Sequence, residues 1–248
     1  MDEGVVVSKG ANTVVSLLHH FLQYHSLGET SVHLHADNCS GQNKNNCMVQ
    51  VINRKRQYML SIMKMLFTQY LMWRVLTGLH QSITLSFMMV GHTKFAPDWC
   101  FGLVKRRLRR ERVSCLQDLA AVVEASAEAN VAELVGTEDG ATNIPVYNWS
   151  TFLAPHFRKI PRLKTYHHIS ISHVAPGTLS LKLAADSGEE QLPLLKHQWA
   201  PTVCDLPAII PPPGLSRQTV VLLWHQLCVT CLPSSLPRSQ HRQTVVPL

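Results

Sequence analysis

Acidic side chains are scarce in this sequence: 16 Asp plus Glu stand against 23 Lys plus Arg, a net charge of +7 with neutral His. The excess points to polyanionic rather than acidic-seeking chemistry in a partner, and says nothing of fold. Charged residues of both signs make up only 16% of the chain against 46% hydrophobic, which excludes wholesale disorder. A chain of 248 residues can bury a substantial core. No stretch approaches the roughly 20 uninterrupted apolar residues that span a bilayer, so no membrane partner is expected. The start, Met1-Asp2-Glu3, is acidic and offers no secretory n-region. Seven cysteines, an odd number scattered from Cys39 to Cys231, do not make a disulfide framework, and a reducing intracellular compartment is expected. A Gly-rich phosphate loop and a nucleophile elbow are also lacking.

What is present reads as alternating helices and strands. Residues 13–25 carry Val14, Leu17, Leu18, Phe21 and Leu22 on one helical stripe that ends at Leu27-Gly28. Ser31 to Ala36 alternates with period two, a short strand. Gln81 to Val90 is almost wholly apolar after Ser82, the pattern of a strand central in a sheet. Helices are expected from about Asp98 to Arg110 and from Ser114 to Ala127, and weaker strands at 144–149, 167–172 and 178–184. Beyond Gln191, Pro193, Pro201, Pro207 and Pro211-Pro212-Pro213 break regular structure, so 192–248 is expected to be an irregular, Pro-rich, disordered tail. Its Arg-Gln-Thr-Val-Val at 217–221 recurs at 242–246, too few copies for a repeat architecture. Cys228 and Cys231 with His225 and His241 lack the second ligand pair that a structural zinc site needs.

The segment 51–69 breaks the pattern. Joining Gln50 to Tyr70 would align Met48, Val49, Leu71, Met72, Val75 and Leu76 on one stripe. At about 100° per residue the 19 residues between them turn a helix by five turns plus roughly 100°, which would send the two halves to different faces. A retained intron accounts for this, because a Val codon begins with GT and a Gln codon can end in AG. A genuine insertion is the alternative, with Arg54-Lys55-Arg56 followed by a small amphipathic helix carrying Met59, Ile62, Met63 and Leu66.

The segment His35-Ala-Asp-Asn-Cys-Ser-Gly-Gln-Asn-Lys-Asn-Asn46, with Gly91-His-Thr-Lys-Phe-Ala-Pro-Asp98 and Trp99-Cys-Phe-Gly102, resembles a family of uncharacterised, transposon-derived proteins present in many copies in animal genomes. The resemblance runs from about Ser8 to about Lys196, outside 51–69. It implies an α/β fold: an incomplete RNase H-like mixed sheet flanked by helices, related to DDE-type transposases, over residues 1–191. It also implies an ancestral Mg²⁺-dependent DNA strand cleavage or transfer. Two-metal phosphoryl transfer takes two or three carboxylates around an ion pair about 3.5–4 Å apart. Asp37, at the tip of the first strand, and Asp98, opening the helix after the second, occupy the positions such ligands take.

The first half of such a domain, with its initial carboxylate, is not found upstream of Asp37, so the chain reads as N-terminally truncated and catalytically inactive, binding no Mg²⁺ of its own. A DNA-binding or protein-interaction module using the basic helix 105–112 and a gene-model product without function are the further alternatives.

Each residue also has a plainer role. Asp37 suits a turn or N-cap, and Asp98 is favoured at a helix start by the dipole. His92 can contact phosphate or metal, or make a structural hydrogen bond. The amides Asn38, Gln42, Asn43 and Asn45 can order their loop or bind a substrate backbone. Lys105, Arg106, Arg107, Arg109, Arg110 and Arg112 form the strongest basic run, readable as a solvated face, as contacts to DNA phosphates, or as a nuclear-import signal.

Overall fold

A computed structural model describes residues 10–26, 28–36, 63–87, 96–128, 130–136, 142–210 and 227–232, with the backbone alone described at 96–98, 100 and 227–232. The elements run α1 (Ala11–Tyr24), β1 (Ser31–Ala36), α2 (63–76), β2 (Ser82–Phe87), α3 (Ala96–Leu108) and α4 (Leu116–Glu124). They continue with α5 (Trp149–Leu153), β3 (His168–Ser172), β4 (Thr178–Lys182), β5 (Glu190–Pro193) and β6 (Leu227–Leu232). The architecture is α/β, with an open mixed sheet in the order β5-β4-β3-β2-β1-β6 and helices packed on it.

Only β1 and β2 are parallel, joined through α2, and every other neighbouring pair is antiparallel. A parallel pair needs a crossover long enough to carry the chain back to the start of the sheet, and a helix is the usual solution. The central place of β2 agrees with its apolar sequence: Ile83, Leu85 and Phe87 face the core and Ser86 is buried as well.

One face of the sheet is oily. Val32, Leu34, Ile83, Leu85, Ile169, Ile171, Leu179 and Leu181 alternate along β1–β4 and pack against Val15, Leu18, Leu22 of α1, Leu71, Met72 of α2 and Trp149, Leu153 of α5. Each such side chain stabilises the fold by about 1.5–3 kcal/mol relative to exposure. The opposite face presents Ser31, His33, His35, Thr84, His168, Ser170 and Ser180, all half-buried. The docking of α1 on α5 is polar: Ser150 N donates to Asn12 Oδ1 at 2.9 Å and Tyr147 N to Ser16 Oγ at 2.9 Å.

Three expectations change. Residues 144–149 are not a strand. Tyr147 makes a single antiparallel bridge to Ile209, and Asn148 then caps α5 by accepting a hydrogen bond from Thr151 N. An Asn oxygen aimed at the next turn favours a helix start over continued pairing.

Next, packing does not stop at 191. Leu192 and Pro193 complete the β4–β5 ladder, Leu194 is fully buried, and Trp199 stacks on His156 with ring centroids 3.8 Å apart. Prolines end ladders but do not prevent burial of the leucines and tryptophan between them, and 192–210 are built into the domain.

Within the segment 51–69, residues 63–69 form one continuous helix with 70–76, and Leu66, Phe67 and Thr68 are buried alongside Tyr70 and Leu71. α2 is buried nearly all round, so it has no single stripe to lose register. Residues 51–62 lie outside the described residues.

Candidate functional site

The parallel pair sets the geometry of the candidate site. Ala36 lies opposite Phe87 in the β1–β2 register, so the chain leaves both strands at the same edge of the sheet. In open α/β sheets the crevice beyond the carboxyl ends of such strands is where ligands bind. Asp37 is the next residue in sequence after Ala36. Asp37, the amides Asn38, Gln42, Asn43 and Asn45, and His92 all lie outside the described residues. Asp98 occupies the first turn of α3, where the backbone dipole favours an acid, and its side chain is outside the described set.

Four histidines gather at this end of the sheet, and sequence reading did not single them out. His33 Nε2 lies 2.8 Å from Ser86 Oγ, and His168 Nδ1 lies 2.9 Å from the same oxygen, a hydrogen-bonded chain across β1, β2 and β3. His35 stacks on His33 with ring centroids 4.3 Å apart, and His167 Nδ1 is 3.3 Å from the Phe87 carbonyl oxygen. Burial pushes His33 down to about 4, helped by the neighbouring His35 and His168. Burial also lowers His35 and His168. His33 is therefore neutral at pH 7 and serves as a hydrogen-bonding group, and the shifts at His35 and His168 run in the same direction. The i, i+2 spacing of His33 and His35 was a readable signal that both share one face of a strand. The partners on β2 and β3 were not readable, because Ser86 lies 53 residues beyond His33 and His168 a further 82 beyond Ser86.

The basic run straddles the end of α3, which stops at Leu108 rather than at the expected Arg110. Lys105, Arg106 and Arg107 lie in the last turn of α3, and Arg109, Arg110 and Arg112 follow it directly. All six are exposed. One acid stands among them, Glu111, whose carboxylate pairs with Arg107 at 2.9 Å. Val104 is buried and anchors this end of the helix, while Lys105 sits 5.5 Å over the Phe101 ring. Cations at a helix C-terminus are favoured by the dipole, which stabilises the element while the charges stay exposed to solvent.

No described helix is long and apolar enough to cross a membrane. No curated protein and no solved structure matches the chain. A family model described as a domain of unknown function, DUF7869, does match it over residues 51–187, more than half its length, and the chain belongs to that family.

Proposed function

We propose that this chain is a nucleic-acid-binding module of transposon origin that grips DNA phosphates through the C-terminal end of α3. The observation that carries the reading is the exposure of six cations, Lys105 to Arg112, around a single acid. Such a cluster binds by releasing counterions from the DNA backbone, so its affinity falls steeply with salt and carries little sequence information. The net charge of +7 supports the same direction. The motif resemblance to RNase H-like, DDE-type transposases supplies the substrate class. In that ancestral chemistry Asp37 and Asp98 would hold Mg²⁺, and Mg²⁺ would supply the activated hydroxyl and stabilise the leaving oxygen.

The test is fluorescence anisotropy of the full chain on a labelled duplex, between about 50 and 200 mM salt. The expected result is a linear fall of log K with log salt, and a shallower line after Arg106, Arg107, Arg109 and Arg110 are replaced by Gln. The slope should drop by about one for each phosphate that is no longer neutralised. Equal affinity and slope in the quadruple variant would remove the proposal. The same duplex incubated with Mg²⁺ is expected to be bound and left intact. Nicking that disappears in Asp37→Asn would replace a binding remnant with a working nuclease.

A further inference from the structure

We infer that His20, His25 and Glu133 form a binding site for a divalent transition metal of the zinc class. The three side chains come from two distant stretches of the chain. His20 Nε2 lies 3.0 Å from one Glu133 carboxylate oxygen, and His25 Nε2 lies 3.1 Å from the other. All three ligand atoms fall within 4.8 Å of one another. Zinc binds imidazole nitrogen and carboxylate oxygen at about 2.0–2.2 Å, so the edges of a tetrahedral ligand set are about 3.3 Å long. The two His–Glu separations are already close to that edge, and an ion can be accepted by side-chain rotation alone. Two nitrogens and one oxygen are a donor set that suits zinc better than Mg²⁺ or Ca²⁺, which take oxygen ligands.

The sequence builds this site through the end of α1. His20 sits in the helix and His25 is its C-cap, with the cap N–H bonded to the Phe21 carbonyl. Residues five apart on a continuing helix diverge by about 140°. At the cap His25 has φ −115° and ψ −1°, and its ring comes to 5.8 Å from that of His20. Aromatic neighbours hold both imidazoles: Tyr24 lies 4.7 Å from the His20 ring, and Phe21 stacks nearly parallel on His25. The backbone just after Glu133 is anchored to its own segment. Val135 is buried, and Asn143 donates to the Val135 carbonyl at 2.8 Å and to the Leu134 carbonyl at 2.9 Å. Ligands whose rotamers are held before the ion arrives lose less entropy on binding.

Three protein ligands leave at least one coordination position for water, as in sites that stay open to a small ligand. A cavity of about 220 Å³ shares His20 and Tyr24 with the site and extends along His19, Trp73, Tyr147 and Leu206. The position left open has room beside it.

The plainer account of the same contacts is a carboxylate held by two imidazole N–H groups, and the experiment separates the two. The full chain is stripped with EDTA and titrated with Co²⁺, read by its visible absorption, then with Zn²⁺ by calorimetry. Three variants accompany it: His25→Ala, Glu133→Gln, and His197→Ala. The last removes one partner of the separate His156–His197 pair, whose ring nitrogens are 3.1 Å apart. Gln at 133 keeps the shape of the side chain and can accept from one imidazole through its oxygen while its NH2 donates to the ring nitrogen of the other, but it is a poor metal ligand. The expected result is one ion per chain, weakened at least about tenfold by His25→Ala and by Glu133→Gln, the scale on which even outer-shell partners count. His197→Ala should bind as the parent does. His25 and Glu133 are exposed, so both variants are expected to keep the parent's circular dichroism. No stoichiometric binding, or binding that survives both ligand variants, overturns the inference.

Discussion

At the scale of single residues, the most consequential side chain in the core is Arg74. It is 2% exposed, and no carboxylate pairs with it among the described residues. Its guanidinium donates to Tyr70 Oη at 3.1 Å, His80 Nδ1 at 3.2 Å and the Leu22 carbonyl at 3.4 Å, and His19 Nδ1 lies 3.5 Å away. A buried cation is tolerated when polar oxygens and nitrogens replace water around it, and here the acceptors must be uncharged. Burial, then the Arg74 charge, pushes His80 down to about 4, and burial, Arg74 and His20 do the same for His19. A His whose folded value lies below its unfolded value of 6.5 binds fewer protons in the native state. Its contribution is complete above about pH 6.5 and is lost as pH falls towards about 4. Urea unfolding at pH 7.5 and pH 5 should therefore show a loss in this window, at most about 1.4 kcal/mol per pH unit for each His. Since burial is the larger cause at both histidines, Arg74→Met should flatten the loss only in part. A profile level from pH 7 to pH 5 would contradict this account.

At the scale of elements, legibility followed the range of the forces involved. β1 was readable to the residue, because alternation from Ser31 to Ala36 and the turn residues around it are local. α1, β3 and β4 were readable to within a few residues for the same reason. What escaped was set by contacts across the chain. α5 depends on Asn148 as a cap and on Asn12 of α1, 136 residues away, which reaches Asn148 Oδ1 at 3.3 Å. Glu133 meets His20 and His25 across 113 and 108 residues, and no spacing rule joins them. The motif around Asp37 was the reverse case, conspicuous in sequence yet outside the described residues.

The β3–β4 hairpin shows how one local choice fixes an element. Thr178 N donates to the Ala175 carbonyl at 3.1 Å, Pro176 follows Ala175, and Gly177 has φ +79°, the arrangement of a type II turn. A Cβ on Gly177 would meet Leu195 Cδ1 at 2.5 Å in addition to the backbone strain. Gly177→Ala is therefore expected to destabilise by more than about 1 kcal/mol, whereas Ala is stabilising at glycines with compatible φ. Equal urea midpoints for parent and variant would show that Leu195 and the turn both relax freely.

At the scale of the whole molecule, the sheet is closed at its two ends by late sequence. β5 and the stretch to 210 cover one side, while β6 pairs antiparallel with β1 on the other. These two closures do different work. Residues 192–210 supply core: Leu194 N donates to the Gly177 carbonyl at 2.8 Å while its side chain is fully buried, Asn148 N donates to the Ala208 carbonyl at 2.8 Å, and Ile210 N to the Val146 carbonyl at 2.7 Å. A chain ending at Gln191 loses the buried Leu194, the Trp199–His156 stack, the acceptor of Asn148 N and the donors to the Gly177 and Val146 carbonyls, which costs at least about 3 kcal/mol.

A chain ending at Ile210 keeps that packing but leaves the outer edge of β1 unpaired, a row of backbone donors and acceptors open to a second copy. The two truncations should therefore fail in different ways. The shorter chain should unfold at lower urea, and the longer should match the full chain's midpoint at low concentration while sedimenting as larger species as concentration rises. If the chain ending at Ile210 stays monomeric at all concentrations, β6 is not what protects β1. If the chain ending at Gln191 unfolds with the full chain, the leucine and tryptophan after β5 are not part of the cooperative core.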